Sequence, residues 1–162
     1  AVCLRLCEQH GIPLRVIAVS SVLSIAPQKM KGAYCAAKSA MNTAHESFWF
    51  DEQGSDSLES VSLVLPGPVV TRFREHALAA LQPVLGRAST VHQEKYKAME
   101  AALAPGARIK PFTASASDVA KKIVRAAEAG RPKPRYLVTP QTYAAEFITR
   151  FIPRSIQRML FS

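Results

Sequence analysis

Ser21, Tyr34 and Lys38 are residue types that could share one proton-transfer site. Tyr34 and Lys38 are four apart in Tyr34-Cys35-Ala36-Ala37-Lys38, so on a helix they lie on one face. A phenol titrates near about 10 and is a poor acid or base at neutral pH. An ammonium beside it favours the phenolate, and a general acid/base works best when its pKa lies near the operating pH. Ser21 stands thirteen residues before Tyr34 and adds a hydroxyl that can hydrogen-bond the oxygen on which charge changes. A tyrosine and a lysine at this spacing also occur by chance as solvated surface residues. What surrounds them separates the two readings.

Arg15-Val16-Ile17-Ala18-Val19 predicts a short buried strand, and Ser20-Ser21 sits where that strand meets its loop. The stretch from Val22 to Gly32 is long enough to bring Ser21 back over the start of a helix predicted from about Ala33 to Gln53 and closed by Gly54. Ala33, Ala37, Ala40, Ala44 and Phe48 recur at helical spacing and predict its packing face. Upstream, Ala1 to His10 reads as a helix ended by Gly11. Ser60 to Leu65 predicts a second strand, stopped by Pro66-Gly67. Arg72 to Pro111 is irregular, with one or two short helices, the clearer from Val91 to Leu103. Asp118 to Ala129 predicts a helix introduced by Ser117 and stopped by Gly130. Tyr136 to Thr139 is a third short strand, and a last helical segment runs from Thr142, kinked or restarted by Pro153. Strands alternating with helices predict an α/β fold with a parallel sheet and helical crossovers.

The strand, the serine, the tyrosine and lysine, and Pro66-Gly67-Pro68-Val69-Val70-Thr71 occur in an order that resembles the classical short-chain dehydrogenase/reductase family, from about Leu14 to the C-terminus. The resemblance implies that the chain is the C-terminal part of a Rossmann-like doubly wound sheet, about three strands with flanking helices. It implies catalytic roles for Ser21, Tyr34 and Lys38. Tyr34 would exchange a proton with the substrate oxygen, Ser21 would position that oxygen, and Lys38 would support the tyrosine and hydrogen-bond the nicotinamide ribose. Pro66, Gly67, Val69 and Thr71 fall on the family's cofactor loop and, with Tyr34 and Lys38, would hold the nicotinamide end of NAD or NADP. Residues 72–111 would be a substrate lid. The sequence departs from the family by lacking a Gly-rich strand-to-helix turn for the pyrophosphate, an Asn-Asn-Ala-Gly stretch, and a fourth active-site asparagine. Residues 1–162 therefore read as one partial domain of a longer enzyme, expected by themselves to have no dehydrogenase activity and an open strand edge at Arg15–Val19 prone to association. The alternative is a shortened, non-catalytic relative that pairs with a full-length homologue through the Ala33–Gln53 helix. Pro132-Lys133-Pro134-Arg135-Tyr136 with Ile152-Pro153 more loosely resembles retinol- and hydroxysteroid-type members, which implies an apolar alcohol or carbonyl substrate.

With 48% apolar residues, the 162-residue chain can bury a core. Its net charge of +9 is scattered, with no Lys/Arg run or aromatic-interleaved patch, so a nucleic-acid partner is not expected. Three cysteines, an odd count, suit a reducing compartment, and a cytoplasmic location is expected. Cys3, Cys7 and His10 share a helix face, but no second ligand pair accompanies them, so a buried apolar face is expected there and no metal. Cys35 needs no catalytic role, and His45, His76 and His92 read as structural or solvated. The tail mixes aromatics with Arg150, Arg154 and Arg158. A membrane-surface helix is one reading of it. A terminal helix that covers the substrate pocket or a subunit contact is the favoured one, and a homo-oligomer is expected for the full-length enzyme.

Overall fold

The computed structural model describes residues 2–52, 54, 57–85, 92–106 and 111–160. Its elements are α1 (Val2–His10), β1 (Leu14–Val19), a 3-10 turn (Val22–Ser24), α2 (Gly32–Asp51), β2 (Leu58–Leu65), α3 (Phe73–Leu85), α4 (Gln93–Leu103), α5 (Ala116–Glu128), β3 (Arg135–Leu137), α6 (Pro140–Phe151) and α7 (Arg154–Leu160). The expected helix end at Gln53 and start at Val91 lie outside the described residues. The three strands form one sheet in the order β1-β2-β3, and both pairings are parallel. Parallel neighbours require crossovers, and here helices supply them.

Helices cover both faces of the sheet, which makes it doubly wound. On one face Leu4 of α1 and Phe48 of α2 pack with Leu14, Val16, Leu58 and Val61. On the other, Val119, Ile123 and Ala126 of α5 pack with Ile17, Val64, Tyr136 and Val138. Alternating side chains of each strand serve the two layers. Arg15 joins the second layer differently. It pairs with Glu59 on the neighbouring strand, and its guanidinium donates to the carbonyls of Ala127 and Ala129 at the end of α5. Those carbonyls lack intrahelical partners.

Several expectations are corrected. The Arg15–Val19 strand is half-buried, not buried, because it lies at the edge of the sheet. The alanine face of α2 is turned outward: Ala33, Ala40 and Ala44 are exposed, and the helix buries Cys35 and Asn42 instead. Small residues suit either side of a helix, so spacing alone could not choose. Cys3 is exposed and Cys7 half-buried, while Leu4 is the buried residue of α1. Among the described residues no group of three potential ligands could hold a metal. α5 starts earlier than expected, capped by Ser115, which forms a reciprocal capping box with Asp118. Tyr143, Phe147 and Phe151 are exposed along one side of α6.

α3 and α4 belong to an excursion from the sheet whose two flanking segments are tied together. Val69 and Ala114 form a parallel bridge, with Val70 N donating to Ala114 O and Ala114 N to Pro68 O, both at 2.9 Å. Within the excursion α3 lies against α4, joined by Arg74 Nη2 to Ala102 O and by Gln82 to Glu100.

Candidate active site

The carboxyl ends of β1 and β2 carry the two predicted site segments and set them side by side. Ser20 N donates to Val64 O, and Val22 N donates to Pro66 O, both at 2.8 Å. The ladder between β1 and β2 thus continues past the end of β1, bringing Ser20-Ser21 against Pro66-Gly67. In open α/β sheets, ligands bind beyond the carboxyl ends of the strands.

Ser21 is buried and extended, and it caps the 3-10 turn by accepting from Leu23 N at 3.2 Å. The preference of serine for such caps explains why the chain leaves the strand here. Its oxygen already accepts that bond, so its hydrogen remains available to donate. Ser20 is also buried, but its hydroxyl is aimed at Lys38 O.

The turn is stitched to α2 by side chains. Ser39 Oγ donates to Ser24 O, and Asn42 Nδ2 donates to Ser24 Oγ, both at 2.8 Å. Lys38 Nζ donates to Val19 O at 3.2 Å, which draws the ammonium to the last residue of β1. Lys38 and the serine segment therefore meet at one edge, with Tyr34 one turn earlier on the same side of α2. The ring of Tyr34 is held edge-on by Phe73, with centroids 5.7 Å apart and planes at 61°. Phe73 follows the predicted cofactor loop, and its backbone N–H donates to Thr71 Oγ1. The loop thus reaches back to the tyrosine through an aromatic contact that nothing in the local sequence signals.

Packing explains why residue 67 is glycine. A Cβ there would lie 2.1 Å from Thr139 Oγ1 and 3.2 Å from both Thr139 Cβ and Thr142 Oγ1. Thr139 and Thr142 are buried at the start of α6 and hydrogen-bond each other at 3.0 Å. α6 thereby packs its first turn directly on the loop. Val69 is half-buried, and its bridge to Ala114 uses the groups of Pro68 and Val70. The N–H and C=O of Val69 itself point to the opposite side, as the alternation of a parallel bridge requires.

Cys35, next to Tyr34, is buried and so is not the exposed thiol that reactivity needs. His45 is structural, its Nε2 lying 3.0 Å from Ser62 O of β2. Burial holds its pKa below the ordinary histidine value, against the raising effects of the Ser62 carbonyl and Glu46. Arg135 on β3 bridges Glu46 of α2 at 2.7 Å and Glu146 of α6 at 2.9 Å. Shallow grooves along Ala120, Val124 and Glu128 of α5 and beside Arg135 hold none of the predicted site residues.

A parallel sheet between helical layers, with hydroxyl-bearing segments gathered beyond its strand ends, is a Rossmann-like α/β arrangement. No protein-family model matches the chain. Similar curated proteins include the uncharacterized oxidoreductase YbbO of Escherichia coli K12 and that of Escherichia coli O6:H1, each 29% identical over 140 residues. The alignment covers 86% of this chain and 45% of each relative, so the chain spans less than half the length of the curated relatives it matches.

Proposed function

We propose that this chain carries the catalytic face of an NAD(P)-dependent oxidoreductase of the short-chain dehydrogenase/reductase type, which interconverts an alcohol with a ketone or aldehyde. The observation that supports the reading is the stitched seam between α2 and the end of β1: Lys38 Nζ donates to Val19 O, Ser39 and Asn42 donate to Ser24, and Val22 N donates to Pro66 O just past Ser21. The oxidoreductase name of the relatives agrees with it.

In the reducing direction the substrate carbonyl oxygen accepts a hydrogen bond from the Ser21 hydroxyl. When bound, a nicotinamide supplies or accepts the hydride at the substrate carbon. As that carbon is reduced, the carbonyl π electrons move onto oxygen, which takes the proton of Tyr34 Oη. The phenolate left behind is stabilised by the ammonium of Lys38, which gives one N–H to Val19 O and keeps two for its site partners. Oxidation runs the same transfers backward. The residues present suit the nicotinamide end of the cofactor, through Lys38, the unbridged backbone groups of Val69 and the hydroxyl of Thr71. A small apolar alcohol or carbonyl compound is the proposed substrate, and the tied excursion of α3 and α4 is the proposed lid. Among the described residues no helix is long and apolar enough to cross a membrane.

Tyr34→Phe tests the assignment in the whole natural protein. It removes only the phenolic O–H and leaves the ring on Phe73. Turnover with a carbonyl substrate and NAD(P)H should fall by about 10²–10⁴-fold, with melting temperature unchanged and cofactor binding largely intact. A variant that keeps most of its kcat would remove Tyr34 from the chemistry. One observation favours a second reading, a docking module. The alanine face of α2 is exposed together with Trp49 and Phe50. In that case Tyr34→Phe would change nothing, while Ala40→Glu would change the oligomeric state.

A further inference from the structure

Asn42 lies on α2 one turn beyond Lys38 and two beyond Tyr34, on the same side of the helix. It is a polar residue buried where the rest of the helix buries Cys35. Its bonding is directional. Ser24 Oγ spends its hydrogen on Ser21 O at 2.5 Å, so towards Asn42 it can only accept. Asn42 must therefore donate, and its Nδ2 does so at 2.8 Å. The result is a relay of fixed polarity, from the Asn42 amide to the Ser24 hydroxyl to the backbone carbonyl of Ser21. Ser39 Oγ closes the same turn from a second position by donating to Ser24 O.

The cost of this arrangement is visible on the same side chain. Asn42 Oδ1 is buried and has no hydrogen-bond partner among the described residues. A buried carboxamide with one half unsatisfied is a poor stabiliser, and an apolar side chain of similar size would serve the packing as well or better. Stability does not account for asparagine here, but the geometry of the turn does. That turn presents the Ser21 hydroxyl, and a displacement of about 1 Å at a reacting group costs about 10²-fold in rate.

We propose that Asn42 is a positioning residue for the proposed reaction: through Ser24 it fixes the turn that holds the Ser21 hydroxyl against the substrate oxygen. The inference rests on the oxidoreductase reading, and its test separates the two. In the whole natural protein, Asn42→Leu should lower kcat about tenfold or more with little change in cofactor Kd. The melting temperature should hold or rise, because the orphaned oxygen goes with the amide. Amide exchange of Leu23 and Ser24, read without substrate or cofactor, should quicken at least severalfold. Ser24→Ala breaks the same link from the other end and should reproduce the loss of kcat and the faster exchange, but with a lower melting temperature because the buried Asn42 amide loses its acceptor, and the two losses of kcat should not add. In a Ser21→Ala background Asn42→Leu should cost no further kcat.

If Asn42→Leu and Ser24→Ala leave kcat and exchange unchanged while Tyr34→Phe and Ser21→Ala are impaired, the positioning role is wrong and the function stands. The positioning role is equally wrong if Asn42→Leu keeps its full effect without Ser21. If Tyr34→Phe and Ser21→Ala are themselves unimpaired, the functional reading has failed. Should Asn42→Leu not fold, Ser24→Ala and its cycle with Ser21→Ala decide between these outcomes.

Discussion

β1 and β2 run side by side with six paired residues and a register shift between Leu14 and Arg15, yet they live in different environments. β2 is buried at every position but Glu59, and Leu63, Val64 and Leu65 are essentially inaccessible. β1 has no buried residue, and Val19 is exposed. Composition would rank them the other way. Leu14-Arg15-Val16-Ile17-Ala18-Val19 has one polar residue, whereas Leu58-Glu59-Ser60-Val61-Ser62-Leu63-Val64-Leu65 has three. Place in the sheet decides. β2 has a neighbour on each side and helices on both faces, and Ser62 is accommodated there because its Oγ finds Lys133 O at 2.8 Å. Among the described residues β1 pairs on one side only. Both strands nevertheless deliver their carboxyl ends to the same site. The proposed catalytic apparatus therefore hangs from one rigid strand and one that is weakly held.

The sharpest way to break this comparison is to truncate each strand. Leu63→Ala should destabilise the protein by about 2–5 kcal/mol, since it opens a cavity where nothing can collapse inward from solvent. Val16→Ala on β1 removes less apolar surface from a half-buried position and should cost markedly less. Denaturant unfolding of the two variants checks the ranking. Equal losses would mean that β1 is as well enclosed as β2.

Gly67→Ala probes the loop that follows β2. The added methyl meets Thr139 Oγ1 at 2.1 Å, and Thr139 is buried and β-branched, so it cannot swing away freely. A loss of about 1–3 kcal/mol is expected, as for other overpacked sites. Combining it with Thr139→Ala should recover part of that loss. If Gly67→Ala alone is neutral, the first turn of α6 is not seated on the loop.

The element order was legible in the sequence wherever a local pattern had a single physical solution. The three strands, the alternation with helices and the parallel pairing came from apolar runs ended by Ser20-Ser21, Pro66-Gly67 and Thr139. The order of Ser21, Tyr34 and Lys38 pointed to the edge where α2 meets the end of β1. What was missed depended on partners far away in sequence. The outward alanines of α2 and the half-burial of β1 follow from what packs beside them. Phe73 and Thr139 meet Tyr34 and Gly67 only in the folded chain. The cap of α5 was the exception. Ser115 with Asp118 three residues later is a local capping-box signal, and it outranks Ser117, the residue next to the expected start.

The smallest expected effect lies where α2 is anchored to the well-buried strand. His45 Nε2 reaches Ser62 O, and burial is the largest influence on the ring, holding its pKa below the ordinary value of 6.5. The unfolded chain therefore takes up a proton on this residue at higher pH than the folded one. The contribution of neutral His45 is complete above about 6.5 and is lost as pH falls through that value towards the lower folded pKa. Below the folded pKa no further loss comes from this group. His45→Gln keeps a donor for the Ser62 carbonyl but cannot titrate. The drop in melting temperature between about pH 8 and about pH 5 should be smaller in His45→Gln than in the unaltered protein. Identical drops in the two would show that the ring is as well solvated folded as unfolded, and that α2 is not fixed to β2 through this histidine.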